Sequence, residues 1–489
     1  MLLTRRTIFR LIATYDDKTL ERISPTLQPG ECEHVLVVQD ECIFHPNESR
    51  RRAWLLHDQQ PIKKKGNGRP IHVSDFTCET LGFLRLSKDQ VNEQMQLPPN
   101  SRLRTFEARR IIYPGKNHDA WWDLKQLMEN VEDAVNIFEH TQPNMVAIFI
   151  FDCSSSHEGL AENALNVNNM NVNSGGKQRH LRDTIIPTSN PPPRPGRPDT
   201  RGMPQSLVYP ATHPDAKLAG QPKGMRAVLE ERVSVWDEYI SHLNGSRPVG
   251  KCKSCQKSQL KKDMDRRVAA AEAMGREDTL TEAEIEAAAA GNLADDVNVD
   301  ADPWCCIYKV ISLQDDFANE KPLLQSYIEG RGHVCLFLPK FHCELNPIEM
   351  VWGYGKYRLS FSCIDFSFML NVRSGFRNAS NGKFTTAKTL VPQCLDLCDT
   401  TTIRRFFRKC WRYMDAYRYI TAHAVKLKAD GSCNSRKGLN AKEAALAVKQ
   451  YRSHRRIGMT AKVHALVSCE KGGGNGSGSD PSSSSHLPG

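Results

Sequence analysis

Short apolar runs recur along the chain and predict the strands of one sheet. HVLVVQD at 34–40 and MVAIFIFD at 145–152 are rich in β-branched or aromatic residues, and each stops at an aspartate. HVCLFLP at 333–339 has the same strand character. Two further strands are predicted at 70–77 and 81–86, and the polar, glycine-containing connection that precedes them indicates an antiparallel meander with the first strand.

Helical spacing of apolar residues flanks these strands. Residues 119–140 place apolar side chains at helical intervals behind a candidate N-cap, Asp119. NPIEMVWGYGKYR predicts a helix that Asn346 caps and that has Pro347 in its first turn. Further helices are predicted over 225–243, 256–290, 399–419 and 440–456. Strands alternating with such helices predict an α/β fold.

The composition changes after the second buried strand. Residues 159–224 are rich in Asn, Pro and Gly, and we expect loop or extended chain there because proline lacks a backbone donor and fixes φ. The tail, 458–489, has little to bury and is predicted to be disordered.

Composition excludes some classes of protein. No apolar run reaches the roughly 18 residues that a membrane helix needs, so we predict no membrane partner. The first residues lack the apolar core of a secretion signal, and the 16 cysteines are therefore interpreted as intracellular thiols or metal ligands. The net charge of +10, from 66 basic and 56 acidic residues, favours a polyanionic partner.

Basic residues gather in two places that could meet nucleic-acid phosphates. One is a predicted hairpin tip, with Lys63, Lys64, Lys65 and Arg69. The other is the run RRFFRKCWR, with Arg404, Arg405, Arg408, Lys409 and Arg412. Helical spacing divides this run into a basic and an aromatic face; the aromatic side chains are expected in the core, and the basic ones either bind phosphates or form a solvated surface.

Three acidic residues lie at the ends of predicted strands or at the start of a predicted helix, where their carboxylates could converge on one point. Asp40 and Asp152 end two apolar strands, and Glu349 lies one turn inside the helix that follows the third. Converging carboxylates could hold two Mg²⁺ ions for phosphoryl transfer, because Mg²⁺ prefers hard oxygen ligands. The alternative is that each aspartate is simply the first polar residue of a loop.

The sequence segments around these acids resemble the motifs of mariner-type DDE transposases. VVQDECIF at 37–44 is similar to the first motif, FIFDCSSSH at 149–157 to the second, and LPKFHCELNPIEMVWGYGK at 338–356 to the last. WLLHDQQPIKKKGNGRPIHVSDF is similar to the family's basic hairpin. Several short segments more closely resemble a fungal lineage of DDE-superfamily endonuclease-like transposases: IIYPGKN, ALNVNNMNV, GGKQRH, PKGM and TTIRRFFRKCWRYMDAYR. The similarity covers most of residues 30–457 in the same order.

The resemblance implies an RNase H-like core, that is, a mixed sheet with flanking helices, interrupted here by a long irregular and helical insertion. In such a core Asp40 lies on the central strand, Asp152 at the end of a neighbouring strand and Glu349 on a packed helix. The resemblance also implies that these three acids bind Mg²⁺ or Mn²⁺, that Asn346 caps the helix of Glu349, and that DNA is the substrate. His157 matches a position near the site, where loop packing is the alternative role. Cys153, and His342 to Glu344, depart from the family pattern beside the acids. A nuclear location and a homodimer are further expectations.

The cysteines offer a second candidate metal site. Cys252 and Cys255 form a CxxC pair, and Cys305 and Cys306 follow about fifty residues later. Four thiolates could close a tetrahedral Zn²⁺ site, although adjacent cysteines ligate one metal less readily than a CxxC pair does. The alternative is that all four are buried or free thiols.

The chain also departs from the family pattern in length. Only the segment 1–33 precedes the first strand, so we expect the chain to lack the helix-turn-helix modules of its relatives and to be N-terminally truncated. The stretches 360–375 and 419–436 interrupt matching helices, and we hypothesise that they derive from unspliced introns. The predicted parts are the N-terminal segment 1–33, the core 34–157, an insertion 158–332, the completion of the core 333–358, basic helices 359–457 and the tail 458–489.

Two functions remain open at this point. The first is a metal-dependent DNA endonuclease and strand-transfer enzyme of transposon origin. The second is a catalytically inactive remnant that binds DNA or supports assembly. A third reading, a zinc-dependent adaptor, depends on the cysteine site.

Overall fold

The computed structural model describes residues 10–16, 19–48, 66–115, 118–154, 156–256, 302–339, 342–357 and 376–429. The strands are β1 (Thr14–Tyr15), β2 (Arg22–Ile23), β3 (His34–Phe44), β4 (Ile71–Cys78), β5 (Gly82–Phe83), β6 (Arg110–Ile112), β7 (Val146–Phe151), β8 (Thr184–Ile185), β9 (Pro204–Gln205) and β10 (Val334–Phe337). The helices are α1 (Lys88–Gln96), α2 (Leu124–Thr141), α3 (Met225–Glu231), α4 (Val233–His242), α5 (Ile307–Ser312), α6 (Asp315–Ala318), α7 (Leu323–Gly330), α8 (Pro347–Tyr357), α9 (Phe376–Ala379), α10 (Phe384–Asp396) and α11 (Thr400–Ala429).

The main sheet is mixed and has six strands. Its order is β10-β7-β3-β4-β5, with β6 also paired to β4. Strand β3 runs antiparallel to β4 and parallel to β7, and β10 runs parallel to β7. The predicted α/β class and the predicted antiparallel meander are therefore confirmed.

Both faces of the sheet are buried beneath helices. Leu36 and Val38 of β3 belong to a core with apolar residues of α8, α10 and α11. The alternate residues, Val35 and Val37, belong to a second core with residues of α2 and α7. Because successive side chains of a strand point to opposite faces, this two-sided burial explains why β3 reads as a nearly continuous apolar run.

Some predicted boundaries were wrong. Strand β3 continues four residues beyond Asp40, because the whole segment to Phe44 pairs with β4. Helix α2 begins at Leu124, and its cap is Asp123, whose carboxylate accepts from the Gln126 backbone N–H at 2.9 Å. Asp119, the expected cap, instead accepts a hydrogen bond from the Tyr113 backbone N–H.

Other predicted elements are shorter or divided. The strand predicted at 81–86 is reduced to the two residues of β5. The helix predicted at 225–243 is interrupted at Arg232, whose backbone has a non-helical ψ of 67°. The predictions for 360–375, 440–456 and 458–489, and nearly all of 256–290, lie outside the described residues.

The insertion has its own hydrophobic core. Leu165 and Leu207, from the stretch predicted as loop, pack with Val228, Tyr239 and Ile307. Regular structure in that stretch is limited to a 3₁₀ turn and the short pair β8 and β9, so the prediction of irregular chain holds for the backbone while the side chains still form a core. Across the described part of the chain, the helices are too short or too polar to cross a membrane.

Candidate active site

Asp40 lies within β3, and Asp152 directly follows the end of the parallel strand β7. The β3–β7 ladder ends with Val38 paired to Ile150, so each aspartate comes two residues after the last pair. Strand alternation places Asp40 on the face of Val38, which the C-terminal helices cover. Asp40 is buried, whereas the Asp152 side chain is 47% exposed. Both acids thus lie where the pairing of β3 with β7 ends, close enough for the charge of Asp152 to act on Asp40.

Helix α8 brings the third acid. Asn346 is buried, and its side-chain oxygen accepts from the Ile348 backbone N–H at 3.3 Å, so the predicted cap is present. Buried Ile348 and Val351 pack α8 onto the sheet and leave Glu349 exposed in its first turn. From the next turn, the Trp352 indole N–H donates to Asp40 Oδ2 at 3.1 Å.

The three carboxylates share one electrostatic field. Burial raises the pKa of Asp40 well above its usual range, and the negative charges of Glu349, Glu41 and Asp152 raise it further. Partial desolvation and the charge of Asp152 likewise raise the pKa of Glu349, although this side chain is exposed and Lys356 acts in the opposite direction. The site therefore concentrates negative charge that a bound cation would neutralise.

The acids do not form a compact ligand group in this structure. Among the described residues, the group of three or more His, Cys, Asp or Glu side chains close enough to share one metal ion consists of cysteines, and Asp40, Asp152 and Glu349 are not part of it.

His157 is a buried bridge between two acids. Its side chain is fully buried; Nδ1 forms an ion pair with Asp152, and Nε2 lies 3.3 Å from Glu41 Oε1. The Trp122 indole N–H donates to the same Glu41 oxygen at 2.9 Å. His157 contacts the candidate ligand Asp152, and it also packs within its own loop through Ser154 and the Phe151 ring, so both roles considered for it remain predictions.

The charges of this bridge stabilise each other. Burial opposes ionisation of Glu41, but the charge and hydrogen bond of His157 outweigh it and lower the pKa of Glu41 to about 2. Burial likewise opposes protonation of His157, and the charge of Glu41 together with the Asp152 hydrogen bond still raises the pKa of His157 well above its usual range. Asp152 is thereby held by an imidazolium whose other nitrogen is anchored by Glu41.

Sequence reasoning missed three residues that shape the site. Glu41 and Trp352 occur in the same sequence motifs as the acids. Their position in those motifs was the feature of the sequence that could have identified them. Lys356, on α8, donates to the backbone oxygen of Ile43 at 2.8 Å and lies 4.9 Å from the ring centre of Phe44. This contact ties the end of α8 to the far end of β3.

The candidate DNA-binding residues separate into two groups. Arg69 donates to the Tyr113 carbonyl at 2.7 Å, Arg404 to the Glu79 carbonyl at 3.0 Å, and Arg408 to the Tyr15 carbonyl. These three guanidinium groups therefore bind the protein's own backbone. Arg405, Lys409 and Arg412 are exposed on α11, while Phe407 is buried and Phe406 and Trp411 pack against the core, as expected for the aromatic face. Lys63, Lys64 and Lys65 lie outside the described residues.

The four predicted cysteines of the insertion come together. Cys305 Sγ lies 3.7 Å from each of Cys252 Sγ, Cys255 Sγ and Cys306 Sγ, and Cys306 Sγ lies 3.8 Å from Cys255 Sγ. All four sulfur atoms lie within 4.8 Å of one another. Cys306 is buried and the other three are half-buried. The prediction of a clustered cysteine site is confirmed.

No protein-family model, no curated protein and no solved structure matches this chain. The similarity to mariner-type enzymes therefore stays a prediction from motifs. The structure adds where Asp40, Asp152 and Glu349 lie and which residues hold them.

Proposed function

We propose that this protein is a DDE-type, divalent-metal-dependent DNA endonuclease and strand-transfer enzyme with an RNase H-like core. The observation that carries the proposal is the convergence of Asp40, Asp152 and Glu349 from three separate elements at one end of the sheet. Burial and neighbouring negative charge raise the pKa of Asp40 and of Glu349, and a bound cation would offset that repulsion.

The sheet supports the RNase H-like part of the proposal. The meander β3, β4 and β5 is extended beyond β3 by the two parallel strands β7 and β10. Asp40 lies on the central strand, Asp152 follows its parallel neighbour, and Glu349 lies on a helix packed against the same face. This is the arrangement that the motif resemblance implies.

The donor set fits Mg²⁺ or Mn²⁺. All three candidate ligands are carboxylates, which these ions prefer to sulfur or imidazole. A pair of ions shared among the three carboxylates would suit phosphoryl transfer. Bound in this way, the metal would activate the attacking water or hydroxyl group and neutralise charge on the leaving oxygen.

The protein's own residues keep the ligands in place. The Trp352 indole fixes one oxygen of Asp40, and the His157 imidazolium fixes Asp152. The exposure of Asp152 and Glu349 leaves these carboxylates accessible to metal ions from solvent. Ligands held before the substrate binds lose little freedom during the reaction, which favours catalysis.

The DNA-binding part of the proposal relies on exposed basic residues. Arg405, Lys409 and Arg412 recur at helical spacing on α11 and can meet phosphates without regard to base sequence. Binding should weaken steeply as salt increases, because each phosphate contact releases counterions. A nuclear location and a second copy of the chain as partner belong to the same proposal.

The test is cleavage of labelled DNA by the full chain with Mg²⁺ or Mn²⁺. We expect cleavage by the wild type, loss of cleavage in Asp152→Asn and Glu349→Gln, and unchanged cleavage in Glu162→Gln, a matched change at an exposed acid away from the site. Wild type that never cleaves, or Asp152→Asn that cleaves equally, refutes the enzymatic proposal.

The second candidate is a DNA-binding or assembly protein without catalysis. Exposed Arg405, Lys409 and Arg412 support it because DNA binding through them does not need the carboxylates. Salt-dependent DNA binding by a wild type that does not cleave, weakened when these three residues are changed to glutamine, would establish this alternative.

A further inference from the structure

The cysteine cluster has the dimensions of a metal site. A tetrahedral Zn²⁺ ion with Zn–S bonds of about 2.3 Å places neighbouring sulfurs about 3.8 Å apart. The four closest sulfur pairs, which join Cys252, Cys255, Cys305 and Cys306, lie at 3.7 to 3.8 Å. A disulfide would need about 2.05 Å, and the structure has all four as free cysteines. Four thiols around one centre therefore match a thiolate tetrahedron better than they match disulfides.

The backbone holds the two cysteine pairs together independently of the sulfurs. The Ile307 N–H donates to the Val249 carbonyl at 3.0 Å, and the Tyr308 N–H donates to the Gly250 carbonyl at 2.9 Å. Within the first pair, the Cys255 N–H points to Cys252 Sγ at 3.5 Å, a contact that stabilises a thiolate. The four ligands are therefore positioned by main-chain contacts on both sides of the cluster.

The surroundings suit a closed structural site. The Tyr239 hydroxyl accepts from the Val249 N–H at 3.2 Å, and Tyr239 and Ile307 belong to the insertion core. His242 stacks on Trp304 at 4.8 Å between ring centres. Four thiolates with one Zn²⁺ carry two net negative charges, and Lys251, which immediately precedes Cys252, supplies a neighbouring positive charge.

We propose that Cys252, Cys255, Cys305 and Cys306 bind one structural Zn²⁺ ion. The ion would join two segments of the insertion whose first cysteines, Cys252 and Cys305, are 53 positions apart in the chain. All four coordination positions are taken by protein thiolates, so no position is open for a substrate. The ion stabilises the insertion because the unfolded chain has no preformed site, and its binding free energy then adds to folding. This proposal is independent of the proposed enzymatic function.

The first test is metal content. Full-length protein purified under reducing conditions with Zn²⁺ should contain one zinc per chain by mass spectrometry, and replacement by Co²⁺ should give the visible absorption of tetrahedral cobalt thiolate. Cys255→Ser and Cys305→Ser should lose the zinc, whereas Cys32→Ser, at an exposed cysteine outside the cluster, should keep it. Wild type that binds no Zn²⁺, or that contains disulfides among these cysteines, overturns the proposal.

The second test does not depend on the folding of a variant. Removing zinc from the wild type with a chelator should increase hydrogen exchange in α4 and α5, which pack around the cluster, and should leave β3 protected. Adding Zn²⁺ back should restore protection. Exchange in α4 and α5 that is the same with and without zinc would show that the ion, if bound, does not hold the insertion together.

Discussion

A buried ion pair lies between the main sheet and helix α10, and removing one partner gives a sharp prediction. The Arg109 and Asp75 side chains are 4% and 1% exposed, and Arg109 Nε lies 2.6 Å from Asp75 Oδ2. The same guanidinium group reaches Asp396 of α10 at 2.9 Å. The other Asp75 oxygen accepts from the Phe76 backbone N–H at 2.8 Å, and within the described part of the chain Arg109 is the only basic side chain that forms an ion pair with this carboxylate.

Arg109→Met would leave the Asp75 carboxylate buried with one backbone donor. We expect a loss of about 3–5 kcal/mol in the free energy of unfolding, the usual cost of stranding one partner of a buried pair. Changing both residues, to Arg109→Met with Asp75→Leu, should recover most of this loss, because the desolvation penalty disappears with the charge. Arg85→Met is the control: Arg85 also pairs with Asp396, but both side chains are nearly half exposed, and we expect a loss of at most about 1 kcal/mol.

Urea unfolding at pH 7, followed by tryptophan fluorescence and far-ultraviolet circular dichroism, measures all four proteins. The reasoning is refuted if Arg109→Met costs less than about 1 kcal/mol, or if the double variant is as unstable as the single one. The first result would mean that water reaches Asp75, and the second that the arginine stabilises by packing on the Phe83 ring, 4.6 Å away, and not through its charge.

Three further predictions concern other sites. Trp352→Phe removes the donor to Asp40, and DNA cleavage should fall about 10- to 100-fold if that hydrogen bond orients a metal ligand. Burial raises the pKa of Glu79 to about 7, so the folded state binds this proton more tightly than the unfolded state does. The free energy of unfolding should therefore fall by up to about 3 kcal/mol as the pH rises from about 4.5 through 7, and Glu79→Gln should abolish that fall. Gly82→Ala should cost about 1–3 kcal/mol in urea unfolding, because φ is +83° and the new Cβ would lie 2.6 Å from the Thr400 hydroxyl.

Each of these predictions has a contrary outcome. Unchanged cleavage in Trp352→Phe would show that the indole does not position Asp40 for metal binding. An identical pH dependence in Glu79→Gln and wild type would show that the buried carboxyl does not titrate in this range. For Gly82→Ala the control is Gly30→Ala, where φ is similar at +85° but the space is open; equal losses would show that the contact with Thr400 contributes nothing.

Local pattern was enough to locate the longer strands β3, β4, β7 and β10 and the helix start at Asn346, but not the short strands β1, β2, β6, β8 and β9. Apolar runs of β3, β7 and β10 mark buried strands because the side chains of such strands are enclosed on both faces, and the Asn-Pro pair marks a helix start through capping. The boundary at Asp40 was wrong for a long-range reason. Strand β3 continues to Phe44 only because β4, separated from it in the chain, supplies partners for those residues.

The candidate site shows the same division. The residue types and spacing singled out Asp40, Asp152, Glu349 and the cysteines, because carboxylates and thiols are the groups that bind metal ions. Whether they meet depends on strand order and on helix packing, which are contacts between distant residues. The Glu41–His157 contact, across 116 positions, has no local signature at all.

The basic residues show what the sequence alone cannot decide, namely which side chains remain exposed. In the sequence, Arg404 and Arg405 are equivalent neighbours, each able to meet a phosphate. In the folded chain, Arg404 binds the Glu79 carbonyl whereas Arg405 is exposed. Residue chemistry and periodicity are properties of short segments and can be read along the chain. Burial, partners and charge coupling arise when distant segments pack, and for that reason the three-dimensional contacts decide which of the candidate residues remain available for function.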